Sequence, residues 1–73
     1  MKYKLTPLSR LIWCRIRFFQ NLNNVDNDCL AKTLSVKPRT LNTYDRCAEN
    51  ITLGQLESFI DEYALSIEQL ISN

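Results

Sequence analysis

An all-α fold, a compact set of five short helices, is predicted by three features of the sequence. One glycine and two prolines in 73 residues leave little turn chemistry for hairpins. The alternation of apolar and polar residues that a half-buried strand needs is missing, while apolar residues recur at three- and four-residue steps. Residues able to cap a helix stand ahead of these apolar runs. With 45% hydrophobic and 23% charged residues, the chain is near the soluble-globular average, so a small core and one domain, 1–73, are expected.

Thr6 followed by Pro7 predicts a first helix over about 7–21, preceded by a short arm, 1–6. The threonine hydroxyl can cap free N–H groups, and proline at the first helical position sacrifices none. Leu8, Leu11, Ile12, Ile16, Phe19 and Leu22 form its expected buried stripe. Arg15 falls inside that stripe and Trp13 outside it. The asparagine-rich segment 21–27 reads as a loop that drops Val25 into the core. Asp26 then caps a second helix carrying Leu30, Ala31 and Leu34, ending near Ser35.

Ser35, Val36 and Lys37 lead into a third helix that starts at Pro38, runs to about Arg46 and turns Leu41 and Tyr44 inward. Thr52 caps a fourth helix with Leu53, Leu56, Phe59, Ile60 and Tyr63 on its buried face, and Gly54 weakens that helix by up to ~1 kcal/mol. Ser66 and Gln69 make a capping box for a last short helix with Ile67, Leu70 and Ile71.

The apolar stretch 11–19 is interrupted by Arg15 and Arg17, which argues against a membrane span or a signal peptide and for a cytoplasmic protein. Cys14, Cys29 and Cys47 are odd in number and have no CxxC spacing. In that compartment they read as reduced thiols, with no metal site and no cofactor expected. The chain has no histidine, which removes the commonest general base and the usual partner of a nucleophile. With no glycine-rich loop or paired-carboxylate motif either, an enzyme is not expected.

Charge is divided along the chain. Nine bases and three acids precede Cys47, a net +6, and five acids with no base follow from there, a net −5. The split points to one face for a polyanion and another turned away from it.

Two short helices joined by three residues, with Ala31 at the close contact and Val36 plugging the turn, describe a helix-turn-helix over about 26–46. The run Leu30-Ala31-Lys32-Thr33-Leu34-Ser35-Val36-Lys37-Pro38-Arg39-Thr40-Leu41-Asn42-Thr43-Tyr44-Asp45-Arg46 resembles the phage-repressor and Cro-like (Xre) family of DNA-binding domains. The likeness extends from Ile16, Phe19 and Val25-Asp26-Asn27 upstream to Leu53, Leu56, Tyr63, Leu65, Ser66, Ile67 and Leu70 downstream, covering about 12–70.

The resemblance implies a lambda-repressor-like five-helix domain whose third helix reads DNA. Lys37, Arg39 and Thr43 would meet base edges, and Pro38 a thymine methyl. Arg39 is the strongest candidate, because a guanidinium bonds both major-groove acceptors of guanine. Asn27 matches the family's phosphate-facing residue at the start of the second helix, and Thr40 and Asn42 resemble backbone-contact positions. Arg10, Arg17 and Lys32 are added as backbone contacts from the basic part of the chain.

Some positions depart from the family pattern. Gln20 stands where an arginine usually pairs with the acid that is here Asp45, so Arg15 or Arg46 is expected to take over. Ser35, Cys47 and Ala64 stand where glycines are common, and Lys37 where a serine or threonine caps. The loop 47–50 carries Glu49 and no base.

The function expected is that of a sequence-specific regulator of transcription, a repressor from a phage, mobile element or toxin-antitoxin pair. It would bind double-stranded DNA as a homodimer, because one half-site buries too little for useful specificity. Its dimer surface is expected either at Ile71 on the last helix or at Trp13 and Phe18 on the first. The alternative is a protein-binding module on the same fold, neutralising a cognate toxin or inhibiting a host protein, as the acidic fourth helix and Glu49 suggest.

Overall fold

A computed structural model describes residues 7–71, with side chains as far as residue 70. The arm 1–6 with its Thr6 cap, and the side chain of Ile71, lie outside the described residues. Among the described residues the chain is all helical, without strands: α1 (Leu8–Leu22), α2 (Asn27–Leu34), α3 (Pro38–Arg46), α4 (Leu53–Glu62) and α5 (Ile67–Ile71).

Local chemistry explains the starts. The Asp26 carboxylate accepts from the Cys29 N–H at 2.8 Å, as its position ahead of Leu30 predicts. Thr52 and Gln55 form a capping box on α4: Gln55 N–H donates to Thr52 Oγ1 at 3.1 Å and Thr52 N–H to Gln55 Oε1 at 2.9 Å. Ser66 and Gln69 repeat it on α5 at 3.1 and 2.8 Å. Helix α3 has Pro38 in its first turn and no side-chain cap, so Lys37 replaces the customary hydroxyl without doing its work.

Three helices end in the same way. Asn24, Ser35 and Ala64 take left-handed backbone conformations, with φ of 57°, 60° and 54°. The apolar residue after each, Val25, Val36 or Leu65, packs against the core. Their N–H groups bond back to the carbonyls of Gln20, Ala31 and Ile60 at 3.0, 2.9 and 2.9 Å. Asparagine tolerates this conformation, whereas serine and alanine carry a Cβ penalty of ~1 kcal/mol or more there. Helix α3 ends differently: Cys47 is extended, with φ −156° and ψ 112°.

Leu30, Leu34, Leu41, Ile16 and Phe59 are fully enclosed, each worth roughly 1.5–3 kcal/mol of apolar burial. Helix α2 packs on α3 and α4, and α1 on α5. Phe19, Phe59 and Tyr63 form an aromatic cluster with ring centroids 4.9–5.5 Å apart.

The buried side of α1 differs from the expected stripe. It is rotated toward Trp13 and Gln20, which are buried together with Ile12 and Ile16, while Leu8 and Leu22 at the two ends of the stripe are 65% and 67% exposed. Periodicity located an apolar stripe, but α3 covers the flank beside it. On α4, Leu53 is 82% exposed because the first residue of the helix overhangs its partners, and Ile67 on α5 is 43% exposed.

Candidate nucleic-acid interface

Helix α3 has two unlike sides. Leu41 and Tyr44 are buried, Thr40 is half-buried, and Arg39, Asn42, Thr43 and Arg46 are exposed. At 3.6 residues per turn these four project away from Leu41 and Tyr44. Lys37 and Pro38, at the N-terminal end of the same helix, are exposed as well. The structure thus brings Arg39, Asn42 and Thr43 onto one outward strip, with Lys37 and Pro38 exposed at its N-terminal end, and adds Arg46, which the sequence offered as a partner for Asp45. The signal for Arg46 was available, since seven residues after Arg39 is two turns along the same face.

Asp45 is turned off this strip toward α1. Its carboxylate forms a bidentate pair with Arg17, from Nε to Oδ1 at 3.0 Å and from Nη2 to Oδ2 at 2.9 Å. Trp13 Nε1–H also donates to Oδ1 at 2.7 Å. The expected takeover by Arg15 or Arg46 is therefore corrected: Arg17, one turn before Gln20 on α1, supplies the guanidinium. Its hydrogen bonds hold the Asp45 carboxyl below the usual aspartate value against an opposing effect of burial, and the Trp13 bond adds to the lowering. The Arg17 guanidinium lies 5.2 Å from the Trp13 ring centroid, and that ring meets Tyr44 edge-on at 5.2 Å.

From Arg17 the network continues to α2. Nη1 donates to Gln20 Oε1 at 2.6 Å and to Asn27 Oδ1 at 2.9 Å, and Gln20 Nε2 donates to the same Asn27 oxygen at 2.7 Å. Gln20 is a buried polar residue with 4% of its surface exposed. It was recognised in the sequence only as a missing arginine. Here it joins the start of α2 to the end of α3.

This junction corrects two assignments. Trp13 is only 3% exposed, and its indole N–H is engaged inside the domain, so it is a core residue and not a dimer anchor. Arg17 spends four of its five N–H groups within the network, which leaves little of it for a backbone phosphate. Asn27 remains exposed at the start of α2, with its carbonyl oxygen directed into the network.

Arg10 is exposed on α1. Lys32 borders a groove between α2 and α4 with Cys29, Thr33, Ser58, Asp61 and Glu62, among acids and away from the α3 strip. Phe18 is 53% exposed and, with Leu22, lines a groove of about 430 Å³ between the C-terminal end of α1 and α5. The three cysteines are free and exposed. Among the described residues, no group of three His, Cys, Asp or Glu side chains is placed to hold a metal, and no helix is long and apolar enough to cross a membrane. Neither a family model, nor a curated protein, nor a solved structure matches this chain.

Proposed function

We propose that this chain is a sequence-specific double-stranded DNA-binding regulator on a lambda-repressor-like helix-turn-helix scaffold, with α3 as the helix that enters the major groove. The observation that carries this reading is the composition of the α3 strip. Arg39 and Arg46 flank Asn42 and Thr43, Lys37 stands at the end from which such a helix meets base edges, and the one acid of the helix, Asp45, is committed to Arg17. A strip of donors without a competing carboxylate suits the acceptor-rich edge of guanine and the phosphates beside it.

Lys37, Pro38, Arg39 and Thr43 are the base-reading residues of this proposal. Asn27, Thr40, Asn42, Arg46 and Arg10 serve the backbone. Pairing into a homodimer on a palindromic operator, with repression by occlusion, completes the proposal, and the exposed Phe18 and Leu22 are the candidate dimer surface.

Enrichment of one duplex from a randomised pool by the wild-type chain tests the reading. Arg39→Ala should then keep its helicity and melting temperature but lose preference for the enriched duplex over a random one, by about tenfold or more. Equal loss for both duplexes would reassign Arg39 to phosphate.

The protein-binding alternative draws on α4, whose exposed Glu57, Asp61 and Glu62 make an acidic face. Early elution from heparin at graded salt, with no duplex enriched, would favour it.

A further inference from the structure

The bonds around Asn27 fix which end of its amide faces outward, through donor and acceptor chemistry alone. A guanidinium only donates, so the Gln20 atom 2.6 Å from Arg17 Nη1 must be the carbonyl oxygen. The amide nitrogen of Gln20 is thereby turned to Asn27, 2.7 Å away. Asn27 then receives two donors, Gln20 Nε2 and Arg17 Nη1 at 2.9 Å, and only its Oδ1 can accept both. Asp45 holds the guanidinium from the other side through Nε and Nη2, so the polarity is set from the ion pair outward. Gln20 is buried, which shields its own two bonds from water more than the exposed Arg17 bond to Asn27.

We infer that Gln20 and Arg17 are positioning residues that hold the Asn27 carboxamide with Oδ1 inward and Nδ2 outward, so that Asn27 meets an anionic oxygen as a hydrogen-bond donor. Under the DNA-binding reading, on which this inference rests, that oxygen belongs to a backbone phosphate. An asparagine free to rotate would present its carbonyl to the phosphate part of the time, and that arrangement repels.

The test compares Asn27→Ala in three backgrounds. In the wild-type background it should weaken binding to the enriched duplex by about tenfold, the loss of one hydrogen bond to a charged acceptor. In a Gln20→Met background, where volume is kept, the Gln20 donor is gone and only the exposed Arg17 bond still orients the amide, Asn27→Ala should cost less. In a Gln20→Glu background the carboxylate still accepts from Arg17 but can no longer donate to Asn27. The carboxylate draws Asn27 Nδ2 inward against the single exposed Arg17 bond that still holds Oδ1, so Nδ2 is pulled from the phosphate and Asn27→Ala should cost less still than in the Gln20→Met background.

A role for Gln20 in folding alone predicts the same Asn27→Ala penalty in every background. That result, or no penalty in any, would overturn the inference. Should Gln20→Glu fail to fold, the Gln20→Met comparison still decides.

Side-chain amide NMR of the free protein separates this inference from the DNA-binding reading. The Gln20 amide protons should be protected from exchange and the Asn27 amide protons should exchange readily. That pattern with no duplex bound would sink the DNA-binding reading and leave the relay standing. Protected Asn27 amide protons with DNA binding intact would sink the relay alone.

Discussion

Helix α1 is seated by different chemistry on its two flanks. On one, Phe19 packs edge-on to Phe59 and tilted against Tyr63, an apolar contact that tolerates small rotations. On the other, Trp13, Arg17 and Gln20 meet Asp45 and Asn27 through directional bonds of 2.7–3.0 Å. An apolar flank contributes stability in proportion to the area it removes from water. A polar flank contributes little net free energy per bond, but a misplaced partner leaves a donor unsatisfied at a cost of ~1–3 kcal/mol. The comparison teaches that the aromatic flank holds the domain together, while the polar flank sets where the start of α2 and the end of α3 sit relative to α1. Those are the two segments of the proposed interface.

The sharpest way to break this contrast is Phe59→Ala, which removes a fully enclosed ring. A loss of ~3–5 kcal/mol is expected, comparable to the whole stability of a domain of this size, so thermal denaturation should find the variant largely unfolded. A cooperative transition close to that of the wild type would place the core elsewhere.

Asp45→Ala should cost less, about 2 kcal/mol, chiefly because the enclosed Trp13 N–H loses its acceptor. Adding Trp13→Phe, which deletes that donor, should cost less in the Asp45→Ala background than in the wild type. Strict additivity in denaturant titrations would mean that the indole bond is not what Asp45 contributes.

The two flanks should also part company in acid. The folded-state value of Asp45 lies below its unfolded one. Its contribution is therefore fully present above about pH 4 and lost as pH falls through the lowered value. The stability gap between wild type and Asp45→Ala should narrow on acidification below about pH 4, while the deficit of a milder aromatic variant, Phe59→Leu, stays constant. Parallel pH profiles for the two variants would contradict the assignment.

The smallest effects are expected where both flanks end in the same backbone turn. Ser35 closes α2 and Ala64 closes α4, each left-handed with a Cβ. Ser35→Gly and Ala64→Gly should each raise stability by ~0.5–1 kcal/mol, since relief of the Cβ clash outweighs the added freedom of the unfolded chain. Equal gains at the two sites in melting experiments would show that the turns are local devices, independent of the flank they serve.

Much of the framework was legible in the sequence because it is local. Asp26 ahead of Leu30, Pro38 opening α3, Ser66 with Gln69, and the plugs Val25 and Val36 act within a few residues of themselves, and the structure has each in the expected place. The outward side of α3 followed from the spacing of Leu41 and Tyr44 alone. What periodicity could not supply was the choice among neighbours. The buried side of α1 turned toward Trp13 and Gln20 because α3, 28 to 32 residues away in the chain, brings Asp45 to that flank. Leu8, Leu22 and Leu53 stay largely exposed because no helix among the described residues covers them. Where helices start, stop and turn could be read from residue order, since caps and 3.6-residue spacing are properties of one segment. Which cation Asp45 holds and which way Asn27 faces emerge in the assembled fold, because they depend on distances between segments that the order of residues does not contain.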